Sequence, residues 1–249
     1  MTEKEAFFVD GRYVGPDEVN ALFNGRFEPG DRQSICLEMI EGHTVVDIGC
    51  YGGRFVKEAI ARYPQKEILG VDYDEEHIHI ARHLFPEIRD RFVRMSVYRL
   101  EFPDESVDCV TFQEVIEHLE NAAVSIREIN RVLKKGGVLV LSTVNPYYWR
   151  DLLHFIAGEI KNIFRRKKNR DTKLYDYIYF DNVEWNRHIF SFTPPTLNTL
   201  LKVLGFSYIT HTYGCEGNRL DRLVIKIFPF FGPTQVIKAR KTGKPQEVV

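Results

Sequence analysis

The sequence predicts an α/β fold, a doubly wound and mostly parallel sheet, on three observations. Apolar, β-branched segments alternate with helical patterns through residues 44–146. The first of these strands ends in a glycine-rich turn that opens a helix, and the second ends in an aspartate. Alternation on this scale argues for crossover-connected parallel strands with helices on both faces.

Residues 1–43 read as a lead-in: the first thirty are rich in glycine and charge with weak periodicity, and Ile35, Leu37, Met39 and Ile40 suggest a short helix ending at Gly42. Residues 44–146 form the expected core. Its first strand is Thr44–Ile48, followed by the turn Gly49-Cys50-Tyr51-Gly52-Gly53. A helix then runs through Tyr63, with Phe55, Ala59 and Ile60 at helical spacing, and Pro64 stops it. The second strand, Glu67–Val71, runs into Asp72, and a helix covers about Glu75 to Phe85. Arg91–Val97 and Val107–Phe112 read as the third and fourth strands, separated by the turn Pro103-Asp104-Glu105-Ser106. A helix from about Glu120 to Leu133 ends at Lys134-Lys135-Gly136-Gly137, cations and a left-handed glycine suiting a helix C-terminus. The fifth strand, Val138–Thr143, is apolar throughout, as a strand covered on both faces should be.

The pattern breaks after Pro146. Residues 147–192 are aromatic and charged and read as a lid-like, acceptor-binding insertion. Residues 193–249 resume with a helix opened by Thr193-Pro194-Pro195, a strand at Phe206–Thr212, an amphipathic helix at Arg219–Phe228 and a short strand at Gln235–Ala239. All of this is expected to form one domain, 1–249.

Composition removes several function classes. Thirty-four basic residues against 35 acidic ones leave a net charge of −1, which speaks against a nucleic-acid footprint spread over the whole protein. Four cysteines (Cys36, Cys50, Cys109, Cys215) show neither a CxxC pair nor zinc spacing, and are expected to be reduced thiols. The start MTEKEAFFVD lacks an apolar leader core, and no uncharged apolar run is long enough to span a bilayer. The expected location is cytoplasmic, with at most peripheral contact to a membrane.

A strand ending in glycines at a helix start is a ligand site by geometry, because the backbone approaches closely and unpaired N–H groups point outward. Asp72 at the end of the next strand can accept both hydroxyls of a ribose. Such a turn serves dinucleotides and other nucleosides alike. Here, however, Asp47 precedes the first glycine; a carboxylate at that point repels a pyrophosphate and suits a cationic ligand.

The segments VVDIGCYGGRF, GVDYD, FPDESVDCVTFQEVIEHL and REINRVLKKGGVLVLSTVNP resemble, in order, the motifs of the class I S-adenosylmethionine-dependent methyltransferases. The likeness is nearest to the small-molecule branch with the ubiquinone-biosynthesis O-methyltransferases. It is strong over residues 30–146 and weaker over RHIFSFTPPTLNTLLKVLGF. It implies a Rossmann-like, seven-stranded sheet whose last strand is antiparallel. It also implies a methionine pocket shaped by Asp47, Gly49, Cys50, Tyr51, Gly52 and Gly53, with Asp72 on the ribose diol. Tyr73, Ser96 and Val97 then lie around the adenine, and Gln113 lines the cofactor. Two positions depart from the family. Tyr51 replaces a glycine, so the loop is expected to shift and leave any left-handed position to Gly52. Ser96 replaces an acid, leaving adenine recognition less polar.

Glu114, Glu117 and His118 stand at i, i+3 and i+4, one face if the segment is helical. Two carboxylates and an imidazole suit a divalent cation, with His188 as a fourth ligand. Alternatively His118, beside Glu114, is a general base for the acceptor's proton, or the three merely make a polar helix start. The ExxEH string also occurs in quinone O-methyltransferases and small-RNA 2′-O-methyltransferases.

Trp149, Leu152, Leu153, Phe155, Ile156, Ile160, Ile163 and Phe164 recur at helical spacing before Arg165-Arg166-Lys167-Lys168 and Arg170. This suits a lid packed over the site, an interfacial helix serving a lipid-like acceptor, or an RNA contact. Tyr175, Tyr177, Tyr179, Phe180 and Trp185 suit an acceptor pocket or plain core. His77, His79, His83, His154 and His211 read as packing or surface residues. The expected activity is methyl transfer from S-adenosylmethionine to a small molecule, on oxygen before nitrogen or carbon. The alternatives are a non-catalytic S-adenosylmethionine-binding protein and an RNA 2′-O-methyltransferase.

Overall fold

The computed structural model describes residues 6–9, 12–23, 27–165, 190–215 and 219–246. Its first elements are a small antiparallel pair, β1 (Phe7–Val9) and β2 (Arg12–Val14), and a helix, α1 (Pro16–Phe23). The lead-in is therefore structured. Phe7, Val9, Val14, Val19 and Phe23 bury against Ile80 in a small core of their own. Strands of three residues are too short to show a period in sequence.

The central part follows the expected alternation: α2 (Arg32–Glu38), β3 (Thr44–Ile48), α3 (Arg54–Arg62), β4 (Glu67–Asp72), α4 (Glu75–Leu84), β5 (Phe92–Arg94), β6 (Val107–Gln113), α5 (Ala122–Val132) and β7 (Leu133–Val144). Beyond it lie α6 (Trp149–Arg165), α7 (Pro194–Val203), β8 (Phe206–Gly214), α8 (Arg219–Ile227) and β9 (Thr234–Lys241). Seven strands form one sheet in the order β5-β4-β3-β6-β7-β9-β8. All pairings are parallel up to β7, and β9 runs antiparallel to both β7 and β8. The seven-stranded sheet with an antiparallel last strand is as the resemblance implied.

Alternation along the strands divides the core. Val46, Ile48, Val110, Phe112, Leu139 and Leu141 pack with Ile126 and Ile129 of α5 and Leu197 and Leu201 of α7. Val45, Cys109, Val138 and Val140 pack on the other side with Leu37, Phe55, Val56 and Ile78. Helix starts carry the capping chemistry their sequences offer. The Asp74 side chain accepts from the Glu76 N–H, Asn121 from Val124, and Thr193 from Thr196. The four cysteines are free thiols, three of them buried.

Three local readings change. The third strand is only Phe92–Arg94, because after Met95 the chain folds back through a Ser96–Arg99 bridge. Helix α5 stops at Val132, and Leu133 already opens β7 in extended conformation. Lys134-Lys135-Gly136-Gly137 thus leads into the paired part of the strand rather than ending a helix; the Lys134 ammonium pairs with Asp108 at 2.7 Å, and Gly136 is left-handed at φ 75°. Finally, Glu114–His118 is no α-helix. Glu114 is left-handed at φ 53°, and only Ile116–His118 forms a single 3₁₀ turn, so the three side chains share no helical face.

Gly53 begins α3 with φ 78°, and a β-carbon there would come within 2.6 Å of the Phe92 ring and 2.9 Å of Ala81. Left-handed strain and overpacking act together, so Gly53→Ala should cost at least about 2 kcal/mol. In thermal unfolding this is a fall of roughly 4–8 °C for a chain of this size; an unchanged midpoint would show that the turn relaxes freely.

Candidate functional site

The apolar core gives way to polar side chains at the carboxyl edge of the sheet. Asp47 of β3, Thr111 and Gln113 of β6, and Ser142 and Thr143 of β7 are all buried there. A cavity of about 700 Å³ opens at this edge, within the usual size range of small-molecule sites. It is lined by the tips of β3, β4 and β6, the Gly49–Gly52 turn, Met95 and Val97 beyond β5, and Leu22 and Phe23 of α1.

The turn is fixed by its own backbone. The N–H groups of Gly49 and Cys50 both donate to the carbonyl of Val71, at 2.8 and 3.0 Å, stitching the β3 turn to β4. Gly49 is left-handed, and a β-carbon there would strike Val115 at 2.3 Å. The left-handed non-glycine residue is Tyr51 itself, at φ 48°, so the expected shift to Gly52 does not occur. Two contacts hold Tyr51: its N–H donates to Asp72 Oδ2 at 3.0 Å, and its ring packs between Phe23 and His77.

Asp72 is oriented from three directions. Besides Tyr51, the Asp74 N–H donates to Oδ1 at 3.0 Å, and His77 Nδ1 lies 3.2 Å from the same oxygen. His77 lines the cavity, whereas its spacing suggested packing or surface. Only the folding of α4 beside the β4 tip brings it to Asp72.

Asp47 is 3% exposed. It accepts from Thr111 Oγ1 at 2.6 Å and from Gln113 Nε2 at 3.5 Å, and Gln113 Oε1 in turn faces Arg32 Nη1 at 3.5 Å. Burial dominates these bonds and pushes its pKa up to about 7. Burial likewise raises the Cys50 thiol, which stays protonated.

Of the residues expected around a cofactor, Asp47, Gly49, Cys50, Tyr51, Gly52, Asp72, Tyr73, Val97 and Gln113 line the cavity together. Gly53 and Ser96 are not among the lining residues; the Ser96 hydroxyl accepts from the Tyr98 N–H, and Met95 forms the wall instead. Arg32, Gln33 and the α1 residues also line it and had no signal in sequence beyond composition.

Glu114 and His118 line the cavity, but Glu117 is fully buried beneath it. Glu117 accepts from Thr143 Oγ1 at 2.9 Å, and Glu114 from Ser142 Oγ at 3.1 Å. Burial, then the neighbouring Glu114 charge, pushes the Glu117 pKa up. Among the described residues no three His, Cys, Asp or Glu side chains converge to hold a metal. The described residues thus give the divalent-cation expectation no support; its fourth residue, His188, lies outside them.

A family model described as a methyltransferase domain matches residues 46–141. That segment carries the turn, Asp72 and the Glu114–His118 run. Residues 46–141 therefore resemble a methyltransferase domain.

A probable S-adenosylmethionine-dependent methyltransferase of Mycolicibacterium smegmatis is 36% identical over 127 residues, 45% of this chain and 47% of that protein. The ubiquinone biosynthesis O-methyltransferase of Alkalilimnicola ehrlichii is 33% identical over 118 residues, covering 46% of this chain and 47% of its own. The alignments span about half the length of these relatives. In three dimensions, an S-adenosylmethionine-dependent methyltransferase of Mesorhizobium loti shares the fold at a TM-score of 0.59 and 21% identity, over 85% of this chain and 98% of that one.

The cavity's donor set suits S-adenosylmethionine, the methyl donor named for the relatives it resembles. Two aspartates at adjacent strand tips would suit a cation and a diol, Gly49 and Gly52 keep side chains out of the turn, and Met95 and Val97 offer an apolar wall for a base. Asp72→Ala should weaken S-adenosylhomocysteine binding by about 10- to 150-fold in calorimetry, the worth of a charge-assisted bond or two. S-adenosylmethionine should bind more tightly as pH rises through about 7, where Asp47 ionises. In Asp47→Asn that rise should vanish; a variant with the wild-type pH profile would assign the titration elsewhere.

Proposed function

We propose that the chain transfers a methyl group from S-adenosylmethionine to an oxygen of a small, largely apolar acceptor. The observation that carries this reading is the pairing of buried Asp47 with oriented Asp72 at neighbouring strand tips, on either side of the glycine turn. Oxygen as the acceptor atom is supported by the ubiquinone biosynthesis O-methyltransferase among the relatives.

When bound, the donor supplies an electrophilic methyl group on a cationic sulfur. Asp47 and Gln113 hold its amino-acid end, Asp72 its ribose, and Tyr73, Met95 and Val97 its adenine. His118 lies in the cavity wall beside Val115 and Leu119. There an imidazole nitrogen takes the acceptor's hydroxyl proton while Val115 and Leu119 keep water out. Alignment of acceptor and methyl group in a dry cleft provides most of the acceleration, an effect worth roughly 7–11 kcal/mol in well-oriented systems.

His118→Ala should lower kcat by about a hundredfold to ten-thousandfold while donor affinity stays within about threefold. The wider test incubates the protein and labelled donor with cell extract, then separates lipid, small-metabolite and RNA fractions. Label in the lipid or small-metabolite fraction is expected. Label confined to RNA would replace the acceptor class, and donor binding without product over hours would mark a non-catalytic binding protein.

A further inference from the structure

The strongest feature outside the cavity is an apolar surface built by α6, α8 and the aromatic turn after α8. In α6, Leu153, Phe155, Ile156 and Ile160 are each about half exposed, at 47–53%. In α8 only Asp221 and Ile225 are buried. Leu220, Leu223, Ile227, Phe228 and Phe230 are 46–61% exposed. An apolar surface on this scale, shared by two separate helices, marks an interaction face rather than scattered surface residues.

The two helices are locked together. Asp221 Oδ1 accepts from Tyr148 Oη at 3.2 Å, Trp149 Nε1 at 3.1 Å and Arg150 Nε at 2.6 Å, pinning the start of α6 to α8. Buried Asn145 fixes the turn, donating to the carbonyls of Phe230 and Gly232 at 2.9 and 2.7 Å. Side-chain hydrogen bonds thus tie the start of α6, the start of α8 and the turn together.

Its charges select the occupant. The one acid of α8 is buried Asp221, paired with Arg150, while Arg219, Arg222 and Lys226 are exposed among the apolar side chains. Asp151 is the one exposed acid in the first turn of α6, and the sequence beyond Arg165, its last residue, continues Arg166-Lys167-Lys168. Exposed leucine, isoleucine and phenylalanine interleaved with cations suit a surface that is apolar within and negatively charged outside. We propose that α6, α8 and the Phe228–Phe231 turn form a docking face for an anionic lipid bilayer.

The test uses the full chain without methyl donor, so its outcome is independent of whether the cavity turns over. Vesicles of phosphatidylcholine mixed with phosphatidylserine should sediment the protein. Pure phosphatidylcholine, or salt near 0.5 M, where charges are screened within about 4 Å, should weaken binding by tenfold or more. Leu223→Ser with Phe230→Ser should lose binding at least about tenfold while retaining the wild-type unfolding temperature, because both side chains are exposed. Arg222→Glu with Lys226→Glu, which alters no buried group, should abolish the preference for anionic vesicles. Absence of binding to anionic vesicles would overturn the proposal. So would equal binding to both vesicle types by wild type and charge-reversed protein. A dimer that the Leu223 and Phe230 substitutions dissolve, in protein that ignores vesicles, would assign the face to a second copy instead.

Discussion

One buried carboxyl group organises the site edge of this fold. Asp47 sits on a rung of the sheet where its neighbours are Gly70 on β4 and Thr111 on β6. Threonine supplies the short hydrogen bond. Glycine leaves the space that Cys50 and Val56 fill, since a β-carbon at Gly70 would meet both within 2.9 Å. Burial raises the Asp47 pKa to about 7 from its usual 3.8. The sign follows from linkage: the protonated form stabilises the fold fully below about 4, and that contribution is lost as pH rises through about 7. Near neutral pH Asp47 is therefore a carboxyl group poised to ionise, and a cationic ligand would offset the cost of its ionisation.

Backbone strain concentrates at the same place. Two of the three left-handed non-glycine residues among those described, Tyr51 and Glu114, are in the cavity wall. Each such residue costs of order 1–2 kcal/mol, so the surroundings must hold it. For Tyr51 the hold is Asp72 and the rings of Phe23 and His77; for Glu114 it is an N–H bond to the Ser142 carbonyl at 3.0 Å. The Tyr51 N–H bond also fixes the Asp72 carboxyl, so the strained residue positions the acid expected to meet the ribose.

The core strands, the glycine turn and both aspartates were legible in the sequence because each leaves a local signal: continuous β-branched residues, clustered glycines, an acid at a strand tip. What escaped was set by tertiary contacts. The β1–β2 pair is too short for periodicity, and Leu133–Gly137 carries helix-ending residues that strand pairing overrides. The spacing of Glu114, Glu117 and His118 suggested one helical face, but a left-handed Glu114 sends Glu117 into the sheet and leaves His118 in the cavity. His77 became a site residue only through its approach to Asp72 across a strand–helix turn.

The antiparallel last strand explains why cavity and apolar face share one side of the molecule. With β3, β4, β6 and β7 parallel, their carboxyl ends all lie at one edge, where the glycine turn and the cavity form. Because β9 runs opposite to β7, its first residue, Thr234, pairs with Val144 at the end of β7. The chain segment that precedes β9, including α8 and the Phe228–Phe231 turn, must therefore arrive at that same edge. Helix α6 leaves β7 from there as well. A reversal in one strand thus brings α8 and the start of α6 to the same edge of the sheet as the cavity.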